Sequence, residues 1–307
     1  MSTPNLHMIL FAIFATFAVS TRCNMNQSQH GVALFIFGDF LADVGTNNYI
    51  NTTSYFRANF YPYGETFFHY PTGRPSNGRL IVDFIAEYAK LPLIPPYVRL
   101  WEHGFKGGAN FAAGGAGALV ETFQGLVLNL HMQLKQMEEL GEILKKELGN
   151  EKAERIISEG VYFICIGSND YVTRVADNPT PFQSISMEDY VGLGIYELGG
   201  RKFAMMGVGP IGCAPGMRAS TKNGSCSGEV AKTACCGSGP YRSISSCGGM
   251  RGVREYSLCR HPEKHIFFDS FHPSERANQQ FAQLMWNGSS SVTKSCSLEA
   301  LFENVRV

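Results

Sequence analysis

The sequence has no surplus of charge of either sign. Its 307 residues include 26 Lys and Arg and 26 Asp and Glu, a formal net charge of zero at pH 7. A neutral chain creates no long-range field that attracts nucleic acid or an anionic membrane surface. We therefore expect no nucleic-acid partner, and a neutral small molecule or a lipid-like ligand suits this composition better. Arg74 and Arg79 flank a turn and are interpreted as surface or loop-packing charges.

A hydrophobic run long enough to span a bilayer is also missing. The apolar stretch at 8–19 is too short but has the length found in signal peptides, and Ala18 and Ser20 supply the small residues that a signal peptidase accepts. Because no Lys or Arg precedes this stretch, a buried first helix is the alternative interpretation. We predict a signal peptide at 1–20, secretion to the extracellular space, and one domain at 21–307.

The chain lacks the two paired Cys-x-x-Cys motifs of a zinc site, so we expect no metal. Most of its nine cysteines instead crowd into the C-terminal third, which predicts disulfides of undetermined pairing. These seven are Cys213, Cys226, Cys235, Cys236, Cys247, Cys259 and Cys296. Cys165 lies in an apolar run, where a small thiol packs as a hydrophobe. The glycines of Gly114–Gly117 lack dinucleotide-loop spacing, so we expect no dinucleotide cofactor there.

Asn-x-Ser/Thr sequons are the acceptor pattern for N-glycosylation in secreted proteins. They occur at Asn26, Asn51, Asn223 and Asn287. These sites agree with the predicted signal peptide.

Short continuous apolar runs, each ending in a small or polar cluster, predict strands buried on both faces of a sheet. They are Val32–Phe37, Val161–Ile166, Phe203–Val208 and His265–Phe268. Apolar residues at helical spacing before Gly149 and after Pro273 predict helices between and after the strands. This alternation implies an α/β fold with helices on each side of an open, mostly parallel sheet. In such a sheet, ligand groups gather at the carboxyl ends of the strands.

Three of the predicted strand ends carry polar clusters, which the sheet would bring to one edge. They are Asp39-Phe40, Asn169-Asp170 and the segment from Asp269 to His272. Asp269 and His272 are three residues apart, so a tight loop lets the carboxylate hold one imidazole nitrogen while the other faces a pocket. For an isolated Asp-x-x-His motif, a hydrogen-bonded surface histidine is the alternative.

Four blocks of the sequence follow one another in a recognisable order. They are Gly38-Asp39-Phe40-Leu41, Asn110-Phe-Ala-Ala-Gly114-Gly115-Ala-Gly117, Gly167-Ser-Asn169-Asp170 and Asp269-Ser-Phe-His272-Pro. Together they resemble the blocks of the plant GDSL esterase/lipases, a branch of the SGNH hydrolase superfamily. The resemblance covers nearly the whole predicted mature chain. It implies a three-layer α/β/α fold of the SGNH/flavodoxin-like type. It also implies an apoplastic serine hydrolase that acts on carboxylic or lipid esters without a cofactor.

The resemblance also implies roles for individual residues. His272 matches the general base, and Asp269 matches the carboxylate that orients it. Asn169 and one glycine of the Gly114-Gly115 pair, with Gly114 preferred, match the oxyanion-hole donors that stabilise developing negative charge. The remaining donor would be the backbone N–H at position 40.

Phe40 is where the chain departs from the family, which has its nucleophilic serine at this position. A phenylalanine keeps the backbone N–H but cannot form an acyl intermediate, and loss of a triad nucleophile costs on the order of 10⁶ in turnover. We therefore expect a pseudoenzyme with an impaired site. Two hypotheses stay open beside it. One is a non-catalytic secreted protein that binds an acyl ligand or another protein through the old acyl pocket. The other is an active esterase whose sequence or gene model is misread or that uses an unexpected nucleophile.

Two internal gaps separate the chain from the resembling family. After position 191 only a few residues stand where the family has a helix, and near position 231 a larger piece is missing, expected to hold a long helix and a sheet-edge strand. We expect a sheet that lacks this edge strand, with core surface uncovered and a strand edge unpaired. An unstable product of a decaying gene is a further hypothesis.

Overall fold

The fold is described from a computed structural model that covers residues 17–18, 32–177, 194–209, 211–220, 233–288, 292–293 and 296–303. Apart from 17–18, the predicted signal peptide lies outside these residues. Both predicted gaps adjoin or fall within segments that are likewise outside the described residues, at 178–193 and 221–232.

A five-stranded sheet forms the centre of the molecule, with the strand order β1-β5-β4-β2-β3. The strands are β1 Phe17–Ala18, β2 Leu34–Gly38, β3 Gly108–Asn110, β4 Val161–Cys165 and β5 Lys202–Met206. The pairs β2–β3, β2–β4 and β4–β5 are parallel, and β1 pairs antiparallel with β5. The prediction of an open, mostly parallel sheet is therefore confirmed, and three of the predicted apolar runs correspond to β2, β4 and β5.

The prediction of a fourth such strand at His265–Phe268 is wrong. This run contributes only an isolated bridge between Phe267 and Pro273. The carbonyls of Phe267 and Phe268 instead accept hydrogen bonds from the backbone N–H groups of Cys235 and Cys236. Its backbone is thus occupied by the cysteine-rich segment and does not join the central sheet.

Helices cover both faces of the sheet. They are α1 Ile81–Tyr88, α2 Leu100–His103, α3 Leu130–Leu148, α4 Asn150–Glu159, α5 Ser168–Asp177, α6 Pro215–Ser220, α7 Glu275–Asn287 and α8 Leu298–Phe302. Short 3₁₀ helices lie at Thr46–Asn48, Ser54–Phe56, Tyr97–Arg99, Ile211–Cys213, Pro240–Arg242, Cys247–Gly249 and Pro262–Lys264.

Alternation along β2 divides the hydrophobic core into two layers, because successive strand residues point to opposite faces. Leu34 and Ile36 pack in a cluster with α1, α7 and α8. Phe35 and Phe37 pack in a second cluster with α3 and α4. Two helical layers with the sheet between them make the three-layer α/β/α architecture that the resemblance implied.

Local sequence signals explain where the two predicted helices begin and end. Asn129 caps α3 by accepting a hydrogen bond from the N–H of Met132, and α3 ends at Gly149, whose φ of 83° suits glycine. Ser274 caps α7 in the same way through the N–H of Ala277. Both caps satisfy N–H groups that have no partner within the helix.

The end of β2 depends on a glycine. Gly38 has φ +148°, and a Cβ added there would lie 2.1 Å from the carbonyl oxygen of Cys165 on the neighbouring strand β4. The chain then turns at once, since the N–H groups of Ala42 and Asp43 both donate to the carbonyl of Asp39. This turn fixes the backbone of residue 40 just beyond the carboxyl edge of the sheet.

A cysteine-rich segment at 233–259 packs against Ala58, Tyr63 and Phe268 through its buried cysteines. It holds the short antiparallel pair β6 Cys236–Gly237 and β7 Ser257–Leu258 and the disulfides Cys235–Cys259 and Cys236–Cys247. Cys213 and Cys296 are disulfide-bonded as well. Cys165 is a buried free thiol whose pKa is raised by burial, as its apolar setting predicted.

Arg74 is not a surface charge, so that part of the interpretation is wrong. Its guanidinium makes two hydrogen bonds of 2.8 Å to the carboxylate of Asp83, and both side chains are buried. It also donates to the carbonyl of Val44. The pair ties the loop that follows β2 to helix α1. Arg79 is more exposed and pairs with Glu87 and Glu275.

Candidate active site

Asp269 and His272 form a hydrogen-bonded pair in a tight loop. Nδ1 of His272 lies 2.8 Å from both carboxylate oxygens of Asp269. The backbone N–H groups of Phe271 and His272 also donate to Oδ1 of Asp269, at 3.0 and 2.9 Å. The loop is closed by a hydrogen bond from the N–H of Phe268 to the carbonyl of His272. The structure thus brings together the two side chains that the motif predicted, with the imidazole at the wall of a pocket.

Two further side chains stand behind the carboxylate of Asp269. The hydroxyl of Tyr63 donates to Oδ2 at 2.5 Å, and Nη1 of Arg251 donates to that hydroxyl at 2.7 Å. Burial alone would raise the pKa of Asp269, but the charges of His272 and Arg251 and the hydrogen bonds from His272 and Tyr63 hold it below its ordinary value. Asp269 is therefore an ionised group despite its complete burial.

The ring of Phe40 lies directly against His272, with ring centroids 4.7 Å apart. It also stacks near Phe56 at 6.2 Å. On another side it touches Gly114, where an added Cβ would come within 2.6 Å of the ring. The aromatic ring thus fills the space between the imidazole and the glycine block.

The backbone of Gly114 makes a hydrogen bond that the sequence did not indicate. Its backbone N–H donates to Oδ2 of Asp43 at 2.8 Å, while Oδ1 of Asp43 accepts from the N–H groups of Gly45 and Thr46. Burial raises the pKa of Asp43 to about 6, against the lowering effect of these N–H groups. The amide of Gly114 therefore has a competing partner, which the preference for Gly114 over Gly115 did not foresee.

Asn169 sits at the start of α5, beyond β4. Its Nδ2 donates to the carbonyl of Ala116 at 2.9 Å and to Oδ2 of Asp39 at 3.3 Å. The next residue, Asp170, accepts hydrogen bonds from the N–H groups of Ala118 and Leu119. The start of α5 is thereby tied to the glycine block, and Asn169 lies at the same pocket as Phe40.

Asp39, the residue before Phe40, is fully buried. Burial and the nearby charge of Asp170 raise the pKa of Asp39 to about 7, although hydrogen bonds from Leu41 and Ser168 act in the opposite direction. The carboxyl group thus titrates near neutral pH. Its acceptor contacts with Leu41 and Asn169 hold the turn that carries Phe40.

A pocket opens over Phe40 and His272, with walls that are mainly aromatic and aliphatic. Among its lining residues are Leu41, Tyr55, Phe123, Ile211, Phe271 and Phe281. Arg251 reaches the pocket from the cysteine-rich segment. The arrangement can hold an apolar group against the Asp269–His272 pair.

The remaining predicted sites lie away from this pocket. Asn51 and Asn287 are exposed, as a glycan acceptor must be, and Asn26 and Asn223 lie outside the described residues. Within the described ranges, no group of three or more His, Cys, Asp or Glu could hold a metal ion. No helix formed by the described part of the chain has the length and apolar character needed to cross a bilayer.

Sequence reasoning missed Tyr63, Arg251 and Asp43. Asp43 had a weak signal, since it lies only four residues after Asp39. Tyr63 and Arg251 had none, because they meet Asp269 only through the fold.

A buried Asp–His pair at the carboxyl edge of a mostly parallel α/β sheet, open to an apolar pocket, defines a relative of the ester hydrolases with a histidine base. Residues 34–285 match the model of the GDSL-like Lipase/Acylhydrolase family, and the chain belongs to this family.

Three plant relatives show how much of the chain is shared. GDSL esterase/lipase 1 of Arabidopsis thaliana is 41% identical, with 91% of this chain and 92% of the relative covered. GDSL esterase/lipase 5 of the same plant is 40% identical, with 88% and 86% covered. GDSL lipase of Tanacetum cinerariifolium is 37% identical, with 95% and 93% covered. Family membership thus supports an ester or lipid hydrolase ancestry over most of the chain.

Proposed function

We propose that this chain is a secreted member of the GDSL esterase/lipases whose ester hydrolysis is impaired at position 40. The observation that carries the proposal is the ring of Phe40, which packs 4.7 Å from the imidazole of His272. A serine in that place would offer a hydroxyl to the imidazole, whereas the ring offers no nucleophile and fills the space for a scissile carbonyl. The chain keeps the acid–base half of the machinery and lacks the attacking group.

The same proposal assigns the base to His272, its orienting carboxylate to Asp269, and oxyanion donors to Asn169 and the N–H of residue 40. The glycine donor is the open point. Because the N–H of Gly114 already donates to Asp43, the Gly115 amide is the better candidate of the pair. These roles follow family resemblance and are supported by the proximity of the side chains around one pocket.

Secretion and the two gaps belong to the proposal as well. The described disulfides and the exposed Asn51 and Asn287 are properties of an extracellular protein. The alignment with GDSL esterase/lipase 1 runs over 345 residues, although this chain has only 307. That difference supports segments in the relative that have no counterpart here.

A second candidate function is the binding of an acyl ligand without turnover. The apolar pocket over His272 favours this function, because an alkyl chain can bind to an apolar surface that excludes water and needs no nucleophile. An active esterase with a misread sequence remains the third hypothesis, and it requires a serine at position 40 in the true chain.

Labelling with a fluorophosphonate probe separates these functions, because the probe reacts only with an activated serine. We expect no labelling of the secreted native chain, with GDSL esterase/lipase 1 as the positive control. Labelling that disappears in His272→Ala would contradict the proposal. Protein sequencing of the purified chain across position 40 tests the misread-sequence hypothesis directly.

A further inference from the structure

Tyr63 and Arg251 are buried polar groups that the proposed chemistry does not use. Tyr63 has no exposed surface, and the side chain of Arg251 is 2% exposed. They come from distant parts of the chain, a loop after β2 and the cysteine-rich segment. Both converge on one oxygen of Asp269.

A buried guanidinium is unfavourable unless its donors and its charge find partners. Nη1 of Arg251 donates to the hydroxyl of Tyr63, and Nη2 donates to the carbonyl of Arg57 at 2.6 Å. The guanidinium carbon also lies 5.2 Å from the ring centroids of Phe60 and Tyr63. The cation is thus held on several sides, at a fixed place near the carboxylate.

The hydroxyl of Tyr63 stands between the cation and the anion. Nη1 of Arg251 is 4.0 Å from Oδ2 of Asp269, too far for a direct hydrogen bond, while Tyr63 bridges them with bonds of 2.7 and 2.5 Å. A direct two-point Arg–Asp pair would occupy the carboxylate that His272 needs. The bridge delivers part of the positive charge to Oδ2 through a single donor, so both oxygens remain within 2.8 Å of the imidazole and Oδ1 still accepts from the loop N–H groups.

We propose that Tyr63 and Arg251 are positioning residues for the Asp269–His272 pair. They keep the carboxylate ionised and fix its orientation, and so set the strength of the hydrogen bond from Nδ1 of His272. The purpose of this arrangement rests on the proposed function. The arrangement itself can be tested in the native chain, without any turnover.

The test is the low-field proton NMR resonance of the Nδ1–H of His272 in the full native chain, assigned by its loss in His272→Gln. In Tyr63→Phe the carboxylate loses one donor and becomes a stronger acceptor toward the imidazole, so we expect a downfield shift. Tyr97→Phe is the matched control, since Tyr97 is another buried tyrosine whose hydroxyl bonds to Glu139. It should leave the resonance in place.

Arg251→Gln provides a second variant if Tyr63→Phe does not fold. It removes the charge behind the hydroxyl and should shift the same resonance downfield. Absence of the resonance from the native chain, or an unchanged position in a folded variant, would overturn the proposal.

A kinetic measurement separates this inference from the proposed function. In the Phe40→Ser background, Tyr63→Phe should lower kcat about tenfold with KM nearly unchanged, because the carboxylate that orients the imidazole loses the donor that fixes its own position. Equal kcat with and without the hydroxyl would also contradict the positioning role. If Phe40→Ser shows no turnover while the resonance still shifts in Tyr63→Phe, the proposed function fails and the positioning role stands.

Discussion

Replacement of Phe40 by serine should convert the chain into an ester hydrolase. The backbone at residue 40 is set by Gly38 and by the turn that closes on the carbonyl of Asp39, and neither depends on the aromatic ring. The new hydroxyl would therefore leave the turn at the place where the ring now contacts the imidazole. His272 is already held by Asp269 in the orientation that a general base needs.

The gain in activity can be estimated from what the ring removes. A lost triad nucleophile costs on the order of 10⁶ in turnover. If the new serine hydroxyl lies about 1 Å from its best position, the gain is reduced by a factor on the order of 10², because near-attack geometry is strict. We therefore expect Phe40→Ser to raise kcat/KM for p-nitrophenyl esters by about 10⁴-fold over the native chain.

The same change should cost stability. Truncation of a fully buried Phe costs roughly 3–5 kcal/mol, and Phe40 is only partly buried, so a loss of about 2 kcal/mol is expected. Phe40→Ala is the matched control, because it removes the ring contacts with His272, Phe56 and Gly114 without adding a hydroxyl. Both variants should melt at similar temperatures, below that of the native chain.

The assay compares all three proteins at equal folded concentration, over a series of p-nitrophenyl esters. Fluorophosphonate labelling should appear only in Phe40→Ser and should vanish when His272→Ala is added. A Phe40→Ser protein that melts cooperatively, yet hydrolyses the esters no faster than Phe40→Ala, would show that Asp269 and His272 are not placed to activate a serine at position 40.

Asp39→Asn should flatten the pH dependence of stability. Folding raises the pKa of Asp39 from 3.8 to about 7, so between these values the folded chain binds more protons than the unfolded chain. The stability of the native chain therefore falls as pH rises through that window, and the variant lacks this contribution. Urea midpoints at pH 5 and pH 8 would check this, and an equal slope in the variant would contradict it. Arg74→Met should cost about 3–5 kcal/mol in urea unfolding because it leaves Asp83 buried and unpaired, and a loss below 1 kcal/mol would show that the pair matters little. Asn51→Gln should remove one glycan from the secreted chain without lowering its melting temperature, with Asn287→Gln as the matched variant, and an unchanged gel mobility would count against a glycan at that site.

Much of the fold could be predicted because the signals are local. The apolar run at 161–166 is continuous where β4 is covered on both faces, and the capped leucine repeat before Gly149 became α3 with its predicted end. The run at 265–268 has the same composition but fails as a strand. Whether its backbone joins the central sheet depends on competing partners, and here it is hydrogen-bonded to the cysteine-rich segment. Sequence composition carries no information about that competition.

The candidate site likewise combines residues that a local sequence pattern predicts with residues that meet only in the fold. Asp269 and His272 are close in sequence, and their short spacing already restricts their geometry. Tyr63 is 206 residues from Asp269, so no local pattern links them. The partner of Gly114 could not be foreseen either, because the direction of one N–H depends on the exact course of a loop.

Gly114 also limits which residues position 40 can hold. A Cβ added at position 114 would lie 2.6 Å from the ring of Phe40, so an aromatic side chain at position 40 needs glycine opposite it. The hydrogen bonds described for the Asp269–His272 pair come from Tyr63 and from the loop that carries the pair, and none of them comes from residue 40. The side chain at position 40 can therefore change while the histidine keeps its place.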